Sequence, residues 1–278
     1  MRNLITLTDY NNSDIFDIFK LTDDVREGKY QNVLKGKTVV LFFPNSSIRT
    51  RVSFEKGVHL LGGQAILFPT ETLDKKEDIR DVCEYLNNWA DVVIVRHKDI
   101  KLLRKMAEYL DVPVINAMTD MNHPCEVITD MYALSKIRAD FTKDKYLFVG
   151  EKGNIGLAWK EASEVMGFQL EQCCGVGYEI DGLRSHDNIK SAILGKDVIC
   201  TDSLPADALA DFEECQVTLS AMQMANDGAI LNPCPPFYRG EEVTNEVIES
   251  EYFVGYEFKK YLLEVQQAII LYCLEELL

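Results

Sequence analysis

The segment Ser46-Ser47-Ile48-Arg49-Thr50-Arg51 concentrates more chemistry than any other stretch of the sequence. It follows an apolar run, Pro44 and Asn45, and it opens a helical pattern. Serine caps helix starts, and a first helical turn presents free N–H groups and the positive end of the dipole. Arg49 and Thr50 complete a set of donors suited to a phosphate. Spacing alone equally allows a Ser-capped helix whose arginines lie in solvent or pair with Glu55. A second segment, His123-Pro124-Cys125-Glu126, reads by itself as a helix start. Pro124 suits the first helical position, and Glu126 sits where a capping-box carboxylate would. A third, Gly150-Glu151-Lys152-Gly153-Asn154-Ile155-Gly156, follows a strand. Its G-x-x-G-x-x-G spacing is not the G-x-G-x-x-G of nicotinamide-dinucleotide turns, and no acidic residue ends the next strand at Cys173-Cys174. A tight strand-to-helix turn is the better reading. The eight cysteines contain no C-x-x-C, so no zinc knuckle or thioredoxin-like site is expected.

These residues need elements to position them. Lys37–Phe43, Gln64–Phe68, Asp91–Val95 and Val112–Asn116 read as strands. Ser47–Leu61, Glu77–Trp89, Ile100–Leu110 and His123–Arg138 read as the helices between and after them. The alternation resumes after Ala139–Lys143, with strands at Lys145–Val149, Gln169–Cys173 and Asp197–Cys200, a short one at Ala229–Leu231, and a helix at Asn154–Met166. Such alternation implies parallel sheets with helices on both faces. Lys259–Leu277 reads as one long helix with Tyr261, Val265, Ile269, Tyr272 and Leu277 on its apolar side. The expected fold is therefore α/β, with two Rossmann-like domains, each built on a parallel sheet. The first comprises residues 1–138 plus 260–278, the C-terminal helix packing back on it, and the second comprises residues 139–259.

The chain has 278 residues, 45 acidic and 29 basic, for a formal net charge of −16. That excess of acid argues against nucleic acid and anionic membrane surfaces as partners. No apolar run approaches the roughly 20 residues that span a bilayer, and Met1–Lys20 carries Arg2, Asp9, Asp14 and Asp17 rather than a signal-peptide pattern. A cytoplasmic protein with free buried thiols is the expectation. Any anion site must be a local positive island in an acidic molecule.

The run Phe42 to Glu55 closely resembles the S-T-R-T-R-x-S-F-E signature of the aspartate/ornithine carbamoyltransferase family. Leu61-Gly62-Gly63, Val95-Arg96-His97, His123-Pro124-Cys125-Glu126, Thr201-Asp202, Asn232-Pro233-Cys234-Pro235 and Arg239-Gly240-Glu241-Glu242-Val243 follow in the family's order. The resemblance implies transfer of a carbamoyl group from carbamoyl phosphate to an amine, with no cofactor. It implies that Ser47, Ile48, Arg49 and Thr50 hold the phosphate, Ile48 through its backbone. Arg96, His123 and Thr50 become donors to the carbamoyl oxygen. A helix N-terminus disfavours imidazolium, so His123 is expected to act as a neutral donor. Glu126 and the carbonyl of Cys234 face the carbamoyl NH2, the latter before a cis proline, with Pro236 shifting the register by one as an alternative.

Asp197-Val198-Ile199-Cys200-Thr201-Asp202 resembles the ornithine branch, which implies an amino-acid acceptor bound by Asp202 and Asn154. Lys75 falls on a loop that, in the aspartate branch, enters a neighbour's site, which implies a homotrimer. Four departures stand out. Glu126 replaces a glutamine and places a carboxylate near phosphate. Asn232 stands where the family has histidine. Ser203-Leu204-Pro205 replaces the W-x-S-M-G loop of the ornithine branch. The C-terminal arginine is missing near Lys260-Tyr261-Leu262, where Lys259 or Lys260 offers only a point charge. They admit two alternatives: a carbamoyltransferase with another acceptor, or a paralogue that binds or regulates without turnover.

Overall fold

The structure, a computed structural model, describes residues 1–275. The chain forms two compact units, Met1–Tyr132 with Lys260–Leu278, and Ala133–Lys259. The division falls inside a helix, Pro124–Ile137, at whose end the sequence reading placed it. An apolar helix can serve two cores at once, so its last residue is not where the contacts divide.

The first unit begins with α1 (Asn12–Arg26), which is closed by a capping box. The Asn11 side chain accepts the Asp14 N–H at 3.1 Å, and the Asp14 carboxylate accepts the Asn11 N–H at 2.9 Å. Then follow β1 (Thr38–Phe42), α2 (Arg49–Leu60), β2 (Gln64–Phe68), α3 (Ile79–Leu86), β3 (Val92–Arg96), α4 (Ile100–Tyr109), β4 (Val114–Met118) and α5 (Pro124–Ile137). The sheet order is β2-β1-β3-β4, and every neighbouring pair is parallel. Strands β1 and β3 are buried almost end to end, as central parallel strands covered on both faces must be, and β4 at one edge is buried too, its outer side bridged by Leu4. Edge strand β2 alternates exposed and half-buried residues.

The second unit holds β5 (Lys145–Val149), α6 (Asn154–Met166), β6 (Gln169–Cys173), β7 (Arg184–His186), α7 (Ile189–Ala192), β8 (Val198–Thr201), α8 (Leu219–Met222), β9 (Ile230–Pro233), α9 (Asn245–Ile248) and α10 (Gly255–Lys259). Its sheet runs β7-β6-β5-β8-β9, again all parallel. Gly156 lets α6 lie close on this sheet: a Cβ there would sit 2.6 Å from Phe148 Cε1 and 2.7 Å from Ile180 Cδ1.

The final helix, α11 (Leu262–Leu274), returns to the first unit and packs on α1 and α2. The helix expected over Lys259–Leu277 is α11, starting later at Leu262, because Lys259 closes α10 in the second unit and Tyr261 caps α11 in the first. Leu277 lies outside the described residues. Gln267 Nε2 donates to the Gly57 carbonyl at 2.9 Å, where the missing Cβ lets α11 approach α2.

Both strand orders reverse at one place. The chain moves outward from β1 to β2, then returns across β1 to β3; it does the same from β5 to β6 and β7, then to β8. Crevices beyond the C-terminal ends of strands at such switch points are the ligand sites of open α/β sheets. The ends of β1 and β3 lead into Phe43–Thr50 and Arg96–His97. The ends of β5 and β8 lead into Gly150–Asn154 and Asp202.

Candidate active site

In the first unit, α2 starts later than the serine reading placed it. Ile48 is its N-cap, with no side-chain capping bond. The Ser47 Oγ instead accepts a hydrogen bond from Arg96 Nη1 at 3.0 Å, while the Ser47 N–H donates to the Pro44 carbonyl. Ser47 is therefore not a helix cap; its hydroxyl is oriented by a guanidinium from the end of β3. The Ile48 side chain is 73% exposed, whereas its carbonyl accepts the Val52 N–H. The amides of Arg49, Thr50 and Arg51 lie ahead of that first helical bond, as first-turn donors do. Arg49 is exposed and Thr50 is buried. Arg51 lies 3.7 Å from Glu55, the i,i+4 pair that the sequence admitted.

Arg96 is placed by an irregularity. The β3–β4 register shifts between Val95 and Arg96, re-aiming the side chain at the strand end. Its carbonyl accepts from Thr70 Oγ1 at 2.6 Å. Arg96 borders a cavity of about 320 Å³, whose wall also includes Pro44, Thr70, Asp74, His97 and Thr119. His97 Nδ1 accepts the Asp99 N–H at 3.0 Å, so Nε2 carries the proton toward Asp74 Oδ1, also at 3.0 Å. The Thr70–Arg96 and Asp74–His97 bonds tie the 3-10 turn Thr70–Asp74 to the end of β3, and Lys75 follows it, exposed.

His123 and Glu126 occupy the start of α5, three residues apart on one face, and both are buried. The His123 carbonyl accepts the Val127 N–H, and Cys125 Sγ donates to the Asn116 carbonyl on β4. The preceding turn is closed from within: the Asn122 N–H donates to Thr119 Oγ1, and the Thr119 N–H donates to the Asn122 carbonyl. Asn122 is 0% exposed, and neither polar atom of its side chain has a hydrogen-bond partner among the described residues. The sequence reading passed over it; an asparagine just before His-Pro was the available signal.

In the second unit, Asp202 lies just past β8. Its N–H donates to the Val149 carbonyl, and its Oδ1 accepts the Ser203 N–H. Asp202 Oδ2 and Glu151 Oε1 flank Gly153, at 3.8 and 3.7 Å from where a Cβ would stand. Asn154, the first residue of α6, follows Gly153 directly. Burial first, and Asp207 second, raise the Glu151 pKa above its ordinary value. The Cys234 N–H donates to the Thr201 carbonyl, which places the β9 end beside the β8 end. The cis peptide bond among the described residues is Pro235–Pro236, so the carbonyl before the cis proline is that of Pro235, one residue beyond Cys234. Asn232 is buried, and its Oδ1 has no partner among the described residues.

Glu242 is a second residue whose part the sequence did not reveal. It is 1% exposed, and its Oε1 accepts the Tyr238 N–H in the loop that follows Pro236. Burial pushes its carboxyl up to about 7. Only the fold shows that this acid faces inward. Among the described residues, no group of three or more His, Cys, Asp or Glu could hold a metal ion, and no helix is long and apolar enough to cross a membrane.

Residues 2–136 match the family description "Aspartate/ornithine carbamoyltransferase, carbamoyl-P binding domain", and residues 142–273 match "Aspartate/ornithine carbamoyltransferase, Asp/Orn binding domain". The ornithine carbamoyltransferase of Methanothermobacter thermautotrophicus is 31% identical, covering 97% of this chain and 98% of its own. The structure of the Pyrococcus furiosus ornithine carbamoyltransferase superposes with a TM-score of 0.93 at 27% identity, over 100% of this chain and 98% of that one. That of the Burkholderia thailandensis enzyme superposes at 0.92 and 27% identity, over 100% of both chains. The fold, both switch-point sites and these likenesses agree: the chain belongs to the aspartate/ornithine carbamoyltransferase family.

Proposed function

We propose that this protein is a carbamoyltransferase that moves the carbamoyl group of carbamoyl phosphate to the side-chain amine of an ornithine-like amino acid. The observation that carries the reading is the Arg96–Ser47 bond at the β1/β3 switch point, beside the free first-turn amides of α2. A guanidinium from the end of β3 meets a hydroxyl beside a helix N-terminus there, with Arg49 in that helix's first turn, which suits a phosphate dianion.

The neutral amine nitrogen attacks the carbamoyl carbon, forming a C–N bond. The carbon–oxygen bond to phosphate breaks, phosphate leaves with the electron pair, and the nitrogen loses its proton. No covalent enzyme intermediate is required. Ser47, Arg49, Thr50 and the Ile48 backbone hold the leaving group. Arg96, His123 and Thr50 donate to the oxygen on which charge develops, and their fixed placement supplies orientation and electrostatic stabilisation. Glu126 accepts the carbamoyl N–H. The carbonyl of Cys234, or that of Pro235 one residue on, accepts the second N–H. Asp202 and Asn154 hold the amino acid, and Lys75 serves a neighbour's site in a homotrimer. The eight free, buried cysteines suit a reducing cytoplasm.

One observation favours a second acceptor. Ser203-Leu204-Pro205 stands after Asp202, and the 301-position alignment with the Methanothermobacter enzyme exceeds this chain's 278 residues, so the chain carries gaps relative to it. A changed segment directly after Asp202 suits an acceptor other than ornithine. The test is a colorimetric ureido-product assay with carbamoyl phosphate and L-ornithine, run beside a panel of other amines. Product with ornithine supports the reading. Product only with another amine replaces the acceptor, and none with any amine removes the activity. In parallel, Arg49→Ala is expected to abolish thermal stabilisation by carbamoyl phosphate while leaving the unliganded melting temperature in place.

A further inference from the structure

A second cavity, of about 350 Å³, lies in the first unit away from the strand ends. It is formed where the C-terminal ends of α1 and α2 meet the first turn of α11 and the segment between α1 and β1. That volume is at the small end of the roughly 300–1,000 Å³ found for small-molecule pockets. Its apolar wall is Val25, Leu60, Leu61 and Leu263. The polar wall has one charge of each sign, Arg26 and Glu264.

The cation is held in place. Arg26 Cζ lies 4.8 Å from the Tyr261 ring centroid, and its Nη1 donates to the Tyr132 hydroxyl at 3.2 Å. That hydroxyl donates in turn to Asp23 at 2.6 Å. A guanidinium stacked on a ring and fixed at one nitrogen is preorganised to give its remaining N–H fork to a carboxylate. Glu264 is in the first turn of α11 and half-buried. Its Oε2 is buried and has no hydrogen-bond partner among the described residues. A carboxylate that only complemented the helix dipole would keep both oxygens in water.

A simple anion in this cavity would meet Glu264, and a simple cation would meet Arg26. A ligand carrying both charges a few bonds apart satisfies both. We propose that this cavity is a binding site for a free α-amino acid, its carboxylate on Arg26, its ammonium on Glu264 and its side chain on the leucine wall. The site is separate from the acceptor residues Asp202 and Asn154, which belong to the other unit.

The test is isothermal titration of the intact protein carrying Asp202→Asn, which disables the proposed acceptor site, with the standard L-amino acids and L-ornithine. At least one is expected to bind, and its amide and its desamino acid are each expected to bind at least tenfold more weakly. Arg26→Gln and Glu264→Gln are each expected to weaken that amino acid at least tenfold. Leu60→Trp, at a residue 50% exposed and so tolerant of exchange, is expected to block the cavity without touching either charge. Absence of binding by every amino acid overturns the proposal. So does binding that survives Leu60→Trp, or that survives both charge variants in folded protein.

Discussion

At the proposed phosphate site, Arg96 carries two duties. It orients Ser47, and in the proposed reaction its planar fork would meet the phosphate. Arg96→Lys keeps the charge and loses the fork. Removing one oriented donor to developing charge costs about 10²–10³ in rate, and kcat/KM for carbamoyl phosphate is expected to fall by that order at an unchanged melting temperature. Under the same proposal Glu126 sets a contrary term, since a charged carboxylate beside a phosphate would oppose binding. Glu126→Gln is expected to lower KM for carbamoyl phosphate; a higher KM would show that the carboxylate contributes an attraction of its own. Glu242 gives a pH signature. Its carboxyl titrates at about 7 in the folded chain, above the ordinary 4.5. The native state therefore holds the proton more tightly than the unfolded chain does. That stabilisation is complete below pH 4.5 and is lost as pH rises through about 7. At about 1.4 kcal/mol per unit, the loss is about 3 kcal/mol. Glu242→Gln is expected to flatten this part of the stability–pH curve in urea melts taken across that range. Such residues divide by legibility. Ser47, Arg49 and His123 are visible because they sit inside motifs whose neighbours are adjacent in sequence. The Arg96–Ser47 bond, the buried Asn122 and the inward carboxyl of Glu242 depend on which strand ends meet, and no local pattern encodes that.

Secondary elements read well where burial is two-sided. Runs such as Val39–Phe42 and Val92–Val95 are apolar throughout because helices cover both faces, and no helical period fits them. The polar edge strand β7, Arg-Ser-His, has no such mark. Helix α1 is not among the elements expected from sequence, although Asn11 and Asp14 spell its capping box and Ile15, Ile18 and Phe19 mark its buried face. The start of α2 was misplaced for a subtler reason: a serine before a helix is a good cap until a guanidinium claims its hydroxyl. Close approach of elements is equally invisible except through glycine. At Gly156, α6 touches β5 with no room for a side chain. Overpacking of this kind costs about 1–3 kcal/mol. Gly156→Ala is expected to lower the unfolding free energy of the second unit by that amount, read as a lower urea midpoint at an unchanged m-value. A neutral outcome would mean that Phe148 and Ile180 can move aside.

Across the whole molecule, the charge of −16 makes the proposed site an exception to its surroundings. An anion is drawn only by groups within about a Debye length of 8–10 Å, so added cations matter if they come close. Lys75 is such a cation under the proposed trimer: exposed, and on a segment anchored by Thr70 and Asp74 to the very strand end that carries Arg96. Subunit sharing has a consequence that no single-chain site has. Arg49→Ala removes a phosphate ligand from a subunit's own site, whereas Lys75→Ala removes a group from the site next door. Each variant alone is expected to be nearly inactive. When the two are unfolded together and refolded as a mixture, some interfaces join an intact Arg49 from one chain to an intact Lys75 from another. Activity is then expected to reappear in the mixture and in neither parent treated alone. Light scattering on the same samples checks the trimer itself. Co-assembled mixtures that stay as inactive as their parents place Lys75 outside the site, and a monomer at assay concentrations removes sharing altogether.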